Sequence, residues 1–190
     1  MKFIPQLKMP EKGDPYYNTK SVGGYSPCKV GKPTVEGLNV LANCVGYGVG
    51  RFNAESCEGK INFLTSMNAE NLFPMSYKWN LKVGLIPKLG AMICWSGGKE
   101  ADPSDGKGHV AIVEEIYSES DILVSESAYN GYKWRNRRIN NSNGNWGANS
   151  KYKFQGFIYN PNIDDYSAIE TLLNEAIDKI SEAKILLEKS

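Results

Sequence analysis

Residues 110–113, Val110-Ala111-Ile112-Val113, form a continuous apolar run that follows a polar, glycine-containing loop. A run of this length bounded by turn signals reads as a strand buried on both faces. Residues 118–121 supply a polar turn, and residues 122–127 read as a second strand. The two form an antiparallel hairpin, around which the rest of the chain must supply a sheet and its covering layer. Further strands are expected at residues 91–95, 132–139 and 154–159, with an Asn- and Gly-rich loop over 140–150. Short helices are expected over residues 43–52 and near 60–68, where Ile61, Leu64 and Thr65 recur at helical spacing.

The two ends differ from this middle. Residues 1–34, rich in Gly, Pro, Tyr and Lys, read as an irregular N-terminal arm. Pro161 marks a break, and residues 162–190 read as an amphipathic C-terminal helix. Ile169, Leu173, Ala176, Ile180, Ala183 and Leu187 alternate steps of four and three, a heptad seam of about three repeats. That helix either packs one face on the body or serves as a spacer that pairs with a second copy.

Hydrophobic residues at 41% and charged residues at 23% permit a packed core and exclude global disorder. The 22 basic and 21 acidic side chains leave no net field for a chain-wide grip on nucleic acid. No apolar run approaches the ~20 residues of a membrane span, and residues 1–14 lack the apolar core of a secretory signal. Four cysteines permit two disulfides, yet none lies in a C-x-x-C pair, and their spacing with the single His109 argues against a zinc site. No cofactor is expected.

Three short segments carry chemistry. In Ala42-Asn43-Cys44-Val45-Gly46-Tyr47-Gly48, Asn43 is a candidate N-cap and places Cys44 in the first helical turn. Unpaired N–H groups and the helix dipole favour a thiolate there and can hold an oxyanion. Gly46 and Gly48 would leave room for a substrate chain. The bland alternative is an inert buried thiol. In Gly108-His109-Val110, the histidine opens a buried strand after a glycine loop, where its ring can take and return a proton. In Val124-Ser125-Glu126-Ser127-Ala128-Tyr129-Asn130, an even-length hairpin turn puts Glu126, Ala128 and Asn130 on the face of His109. Glu126, or Asn130 in its place, can hold the imidazole oriented. The bland alternative for Glu126 is a solvated strand residue.

A nucleophile at a helix start, a base at a strand start and an acid on the next strand, in that order, resemble the CHAP family of cysteine, histidine-dependent amidohydrolases and peptidases. The resemblance runs through Asn43-Cys44 with Tyr47, Pro87-Lys88-Leu89-Gly90 leading to Trp95, residues 108–113, Val124-Ser125-Glu126, and Gly156-Phe157-Ile158-Tyr159. It covers residues 35–161, read as the catalytic domain. It implies a papain-like α+β fold, with small N-terminal helices packed on an antiparallel sheet. It also implies a peptidoglycan substrate, cut at the muramoyl–L-alanine amide or at a stem or cross-bridge peptide bond. Cys44 matches the family nucleophile, His109 the base and Glu126 the orienting acid. Many members carry Asn two residues after that Glu, where this chain has Ala128. Some bind calcium through an acidic loop before the nucleophile. Here residues 32–42 hold only Glu36, and Asp102 and Asp105 do not make a recognised calcium loop, so no metal is expected.

Tyr47, Trp95, Tyr129, Tyr132, Trp134 and Trp146 lie near these segments and either stack on substrate or pack in the core. Of these, Tyr47, Trp95 and Tyr129, with Asn43 and Asn130, are candidate orienting or substrate contacts. Arg135, Arg137 and Arg138 form a basic cluster suited to an anionic wall polymer or to a solvated strand face. The resemblance suggests a phage endolysin catalytic domain, held in the host cytoplasm before release and acting on the bacterial wall. A cysteine peptidase acting on proteins and a non-catalytic wall-binding module are the alternatives.

Overall fold

The computed structural model describes residues 3–11, 41, 43–57, 67–98, 107–128, 131–163, 176–177, 179–181 and 184. Its elements in chain order are helix α1 (Cys44–Cys57), helix α2 (Ala69–Met75) with a 3-10 turn at Ser76–Trp79, and strands β1 (Val83–Gly84), β2 (Met92–Gly97), β3 (His109–Ser118), β4 (Asp121–Glu126), β5 (Arg135–Asn140) and β6 (Tyr152–Ile158). The strands form one antiparallel sheet in the order β1-β6-β2-β3-β4-β5. This is the α+β architecture expected, with the helices on a six-stranded sheet.

Both faces of the central strands are buried, which is why their sequences read as unbroken apolar runs. Val45, Val49 and Phe52 of α1 and Leu72 of α2 pack with Met92, Cys94, Val110, Ile112 and Ile158 on one face. Ile93, Trp95, Ala111, Val113, Ile122, Val124, Ile139 and Phe157 form the second core, closed by Trp146 and Ala148 of the loop after β5. Successive strand residues point to opposite faces, so each pair of neighbours serves both cores.

Helix α1 has weak intrinsic propensity, with glycines at 46, 48 and 50. Packing stabilises it instead: Val45, Val49 and Phe52 repeat at i, i+4 and i+7. A Cβ on Gly48 would lie 3.1 Å from Val110 Cγ2. Gly48 therefore brings the helix close to β3 and does not open a substrate groove. Helix α1 also runs to Cys57, beyond the expected end at residue 52.

Helix α2 was not foreseen. Residues 60–66 of the helix expected near 60–68 lie outside the described residues, and Asn68 caps α2 in extended conformation. The two-residue strand β1 was also missed, being too short to carry a period. Residues 3–11 have no regular secondary structure but are docked, with Phe3 and Pro10 buried. Residues 12–34 of the expected arm lie outside the described residues. In the C-terminal segment, residues 176–177, 179–181 and 184 are helical and exposed, and the seam residue Ile180 is 68% exposed. At these positions the helix does not bury a face on the body. No helix among the described residues is long and apolar enough to cross a membrane.

Candidate active site

Asn43 caps α1 as its residue type suggests. Its Oδ1 accepts the Gly46 N–H at 2.9 Å, and its carbonyl accepts the Tyr47 N–H at 2.9 Å. Cys44 is thereby held as the first residue of the helix, a free thiol with 6% of its surface exposed. The N–H groups of Cys44 and Val45 precede the first helical hydrogen bond and point out of the helix start.

His109 is the first residue of β3 and is 5% exposed. Gly108 before it has φ +81°, and a Cβ there would meet the Glu70 nitrogen and the Trp95 carbonyl oxygen at 2.5 Å. Only glycine fits this close approach, and it fixes where the histidine enters the sheet. The ring lies between aromatic neighbours, with centroids 5.8 Å from Trp95 and 6.2 Å from Tyr152. Its Nε2 is 2.8 Å from Glu126 Oε2. Cys44 interacts with the same ring from the start of α1.

The hairpin parity that places Glu126 on the face of His109 holds at the site, but by a less direct route than a regular ladder. Near the turn Ser118 pairs with Asp121, then the register slips to Ile116↔Ile122, and slips again to Val113↔Val124 and Ile112↔Ser125. One slip would have turned Glu126 to the wrong face, and the second restores it.

Burial alone would push the His109 ring toward neutrality, because desolvation penalises the cation. The hydrogen bonds and charges of Cys44 and Glu126 outweigh it and raise the pKa to about 10. Glu126 is 0% exposed. Burial favours its neutral acid, yet His109 and Arg137 together hold the carboxyl well below the usual carboxylate range. Burial pushes the Cys94 thiol strongly up, which leaves it protonated within the core.

Other features of the site were missed in the sequence. Arg137 Nε donates to Glu126 Oε1 at 2.8 Å, and Arg135 Nη2 reaches the same oxygen at 2.7 Å. Arg138 instead pairs with Asp121. The basic cluster is thus engaged by carboxylates of its own chain, while Arg138 keeps the expected solvated face with 61% of its side chain exposed. The two-residue spacing of Arg135 and Arg137 on a strand facing Glu126 was the available signal. Tyr152 beside His109 had none, since its contact depends on strand order.

The candidate contact residues separate by burial. Trp95 is buried, packs on His109 and donates its Nε1–H to the Asn145 carbonyl at 3.1 Å. Tyr47 is fully buried and donates its hydroxyl to Ser125 Oγ at 2.8 Å. Neither presents a face to a substrate, so both are scaffold residues of the site. Asn43 is a buried cap. Trp146 is core, and Tyr132 and Trp134 are half-buried. Tyr129 and Asn130 lie outside the described residues, as do Asp102 and Asp105.

Residues 35–128 match the model of the CHAP domain, a family of cysteine amidohydrolases and peptidases. Among solved structures, an N-acetylmuramoyl-L-alanine amidase from Staphylococcus aureus is 28% identical, with a TM-score of 0.39. The match covers 52% of this chain and 27% of that protein, so this chain spans about a quarter of its length. Residues 35–128 of this chain are a CHAP domain.

Proposed function

We propose that the chain is a peptidoglycan hydrolase in which Cys44 is the nucleophile, His109 the general acid–base and Glu126 the group that orients His109. The observation that carries this reading is the convergence of Cys44, at the start of a helix, on the ring of His109, whose Nε2 is 2.8 Å from Glu126 Oε2. The CHAP domain supports it, since its members are cysteine hydrolases of amide bonds.

In the proposed reaction, Cys44 as thiolate bonds through Sγ to the carbonyl carbon of the amide. The carbonyl oxygen takes the negative charge, and the first-turn N–H groups of α1 are placed to receive it. Protonated His109 delivers its proton to the departing nitrogen as the C–N bond breaks, leaving a thioester. Neutral His109 then takes a proton from water, whose oxygen attacks the thioester. The C–S bond breaks, and the thiolate and imidazolium are regenerated with a free carboxylic acid. Glu126 stays ionised throughout and keeps the ring aimed.

Purified Gram-positive peptidoglycan digested by this protein, with Cys44→Ala in parallel, tests the reading by mass spectrometry. New stem peptides with free L-alanine amino termini establish an amidase, and new termini inside the stem or cross-bridge establish an endopeptidase. An uncut wall across several chemotypes rejects the reading in favour of a protein peptidase or a binding module.

The setting proposed is a phage endolysin that stays in the host cytoplasm until release, on the strength of the sequence resemblance. Purified protein that fails to lyse any Gram-positive culture from outside counts against it. We also propose that the C-terminal helix self-associates, which the exposure of Ile180 favours. Sedimentation at equal mass for wild type and Ile180→Glu would count against that.

A further inference from the structure

Strand β4 and the residue after it present Ser125, Glu126 and Ser127 in succession, all fully buried. Alternation sends Glu126 to one face, where it holds His109, and the two serines to the other, where α1 begins. Ser127 Oγ accepts the Asn43 N–H at 2.9 Å. Ser125 Oγ accepts the Tyr47 hydroxyl at 2.8 Å. These contacts fall immediately before Cys44 and one helical turn after it.

The direction of the second contact is fixed by a buried carboxylate. Ser125 donates its single hydrogen to Glu114 Oε1 at 2.6 Å. Glu114 is ion-paired with Arg51 and accepts this hydrogen, so Ser125 must offer a lone pair to Tyr47. Glu114 is in turn held by Arg51 of α1, through Nε at 3.2 Å and Nη2 at 3.0 Å, and by the Gln6 N–H at 2.7 Å. Helix α1 is therefore tied to β4 at Asn43 and Tyr47, and to β3 through Arg51.

We propose that Ser125 and Ser127 are positioning residues that set the Cys44–His109 distance by referring both groups to one strand. Glu126 places the base from one face of β4, and the serines place the nucleophile helix from the other. Movement of α1 against the sheet would otherwise change the separation of thiol and imidazole, and a displacement of about 1 Å can cost about a hundredfold in rate. This rests on the reading of Cys44 and His109 as the reacting pair.

The test uses the full chain as wild type, Ser125→Ala, Ser127→Ala, the double variant and Ser127→Thr. Alkylation of Cys44 by iodoacetamide is followed across pH by residue-resolved mass spectrometry, alongside kcat and KM on peptidoglycan and thermal unfolding. The expected result is a drop of about tenfold or more in kcat for the double variant with KM nearly unchanged. Alkylation of Cys44 at neutral pH should slow in the double variant, and Ser127→Thr, which keeps the hydroxyl, should recover most of the single-site loss. A double variant that melts lower yet keeps the wild-type alkylation profile and kcat overturns the proposal and leaves the serines as scaffold alone. Alkylation needs no substrate, so it decides the matter even if the wild type cuts no wall polymer and the hydrolase reading fails.

Discussion

At the scale of single residues, two cysteines in similar burial have different surroundings. Cys44 meets an imidazole at a helix start, whereas Cys94 lies inside β2 with its thiol pushed up by burial. Cys44→Ala is expected to abolish hydrolysis. Cys94→Ala should keep most of it and cost about 1 kcal/mol of stability for the small cavity, read from urea unfolding. The titration of His109 gives a second expectation. Its pKa is raised, so the charged pair is fully present below the ordinary value of 6.5 and is lost as pH rises through about 10. Activity should therefore persist into the alkaline range and fall near there. Glu126→Gln removes a charge and a strong acceptor from the ring, so the alkaline midpoint should move down, with a loss of about a hundredfold or more in kcat. An unchanged midpoint would mean that Glu126 does not face the working imidazole. For Glu126 itself the sign is opposite. Its depressed pKa stabilises the fold above the ordinary value of 4.5, and that contribution is lost on acidification below it.

Among the elements, the loop that enters β3 carries the tightest backbone constraint. Gly108→Ala puts a Cβ against two backbone atoms at positive φ, so neither neighbour can yield cheaply. The expected cost is about 2 kcal/mol or more, with the His109 ring resonances displaced in NMR spectra. Wild-type stability and spectra would show that the loop relaxes freely. The central strands β2, β3 and β4 were legible because a sheet with two buried faces writes apolar runs into its sequence. Candidate residues Cys44 and His109 were legible because helix starts and strand starts have local signatures, and Glu126, the last residue of β4, through hairpin parity. Tyr152 and Ser127 were not, because each meets its partner across elements whose spatial order no local pattern encodes. The face of Glu126 was inferred correctly although the ladder is irregular, since its two register slips cancel.

The molecule as a whole is less modular than its family match. That match ends at residue 128, yet the guanidinium groups on Glu126 come from Arg135 and Arg137, and β6 lies between β1 and β2 in the sheet. A fragment of residues 35–128 should therefore lack the cooperative unfolding expected of the full chain, as calorimetry would report. A sharp two-state melt from the fragment would show that the later strands are dispensable.

The docking of residues 3–8 bears on how such a domain can be joined to other proteins. The Gln6 N–H ends on the buried Glu114 carboxylate, the Ile4 carbonyl accepts from Arg51 at 2.7 Å, and the Leu7 carbonyl accepts from Asn136 at 3.0 Å. A cargo fused at the amino end would pull on the same carboxylate that directs Ser125. None of these three hydrogen bonds involves residues 159–163, which makes the carboxyl side the gentler place to graft a targeting module.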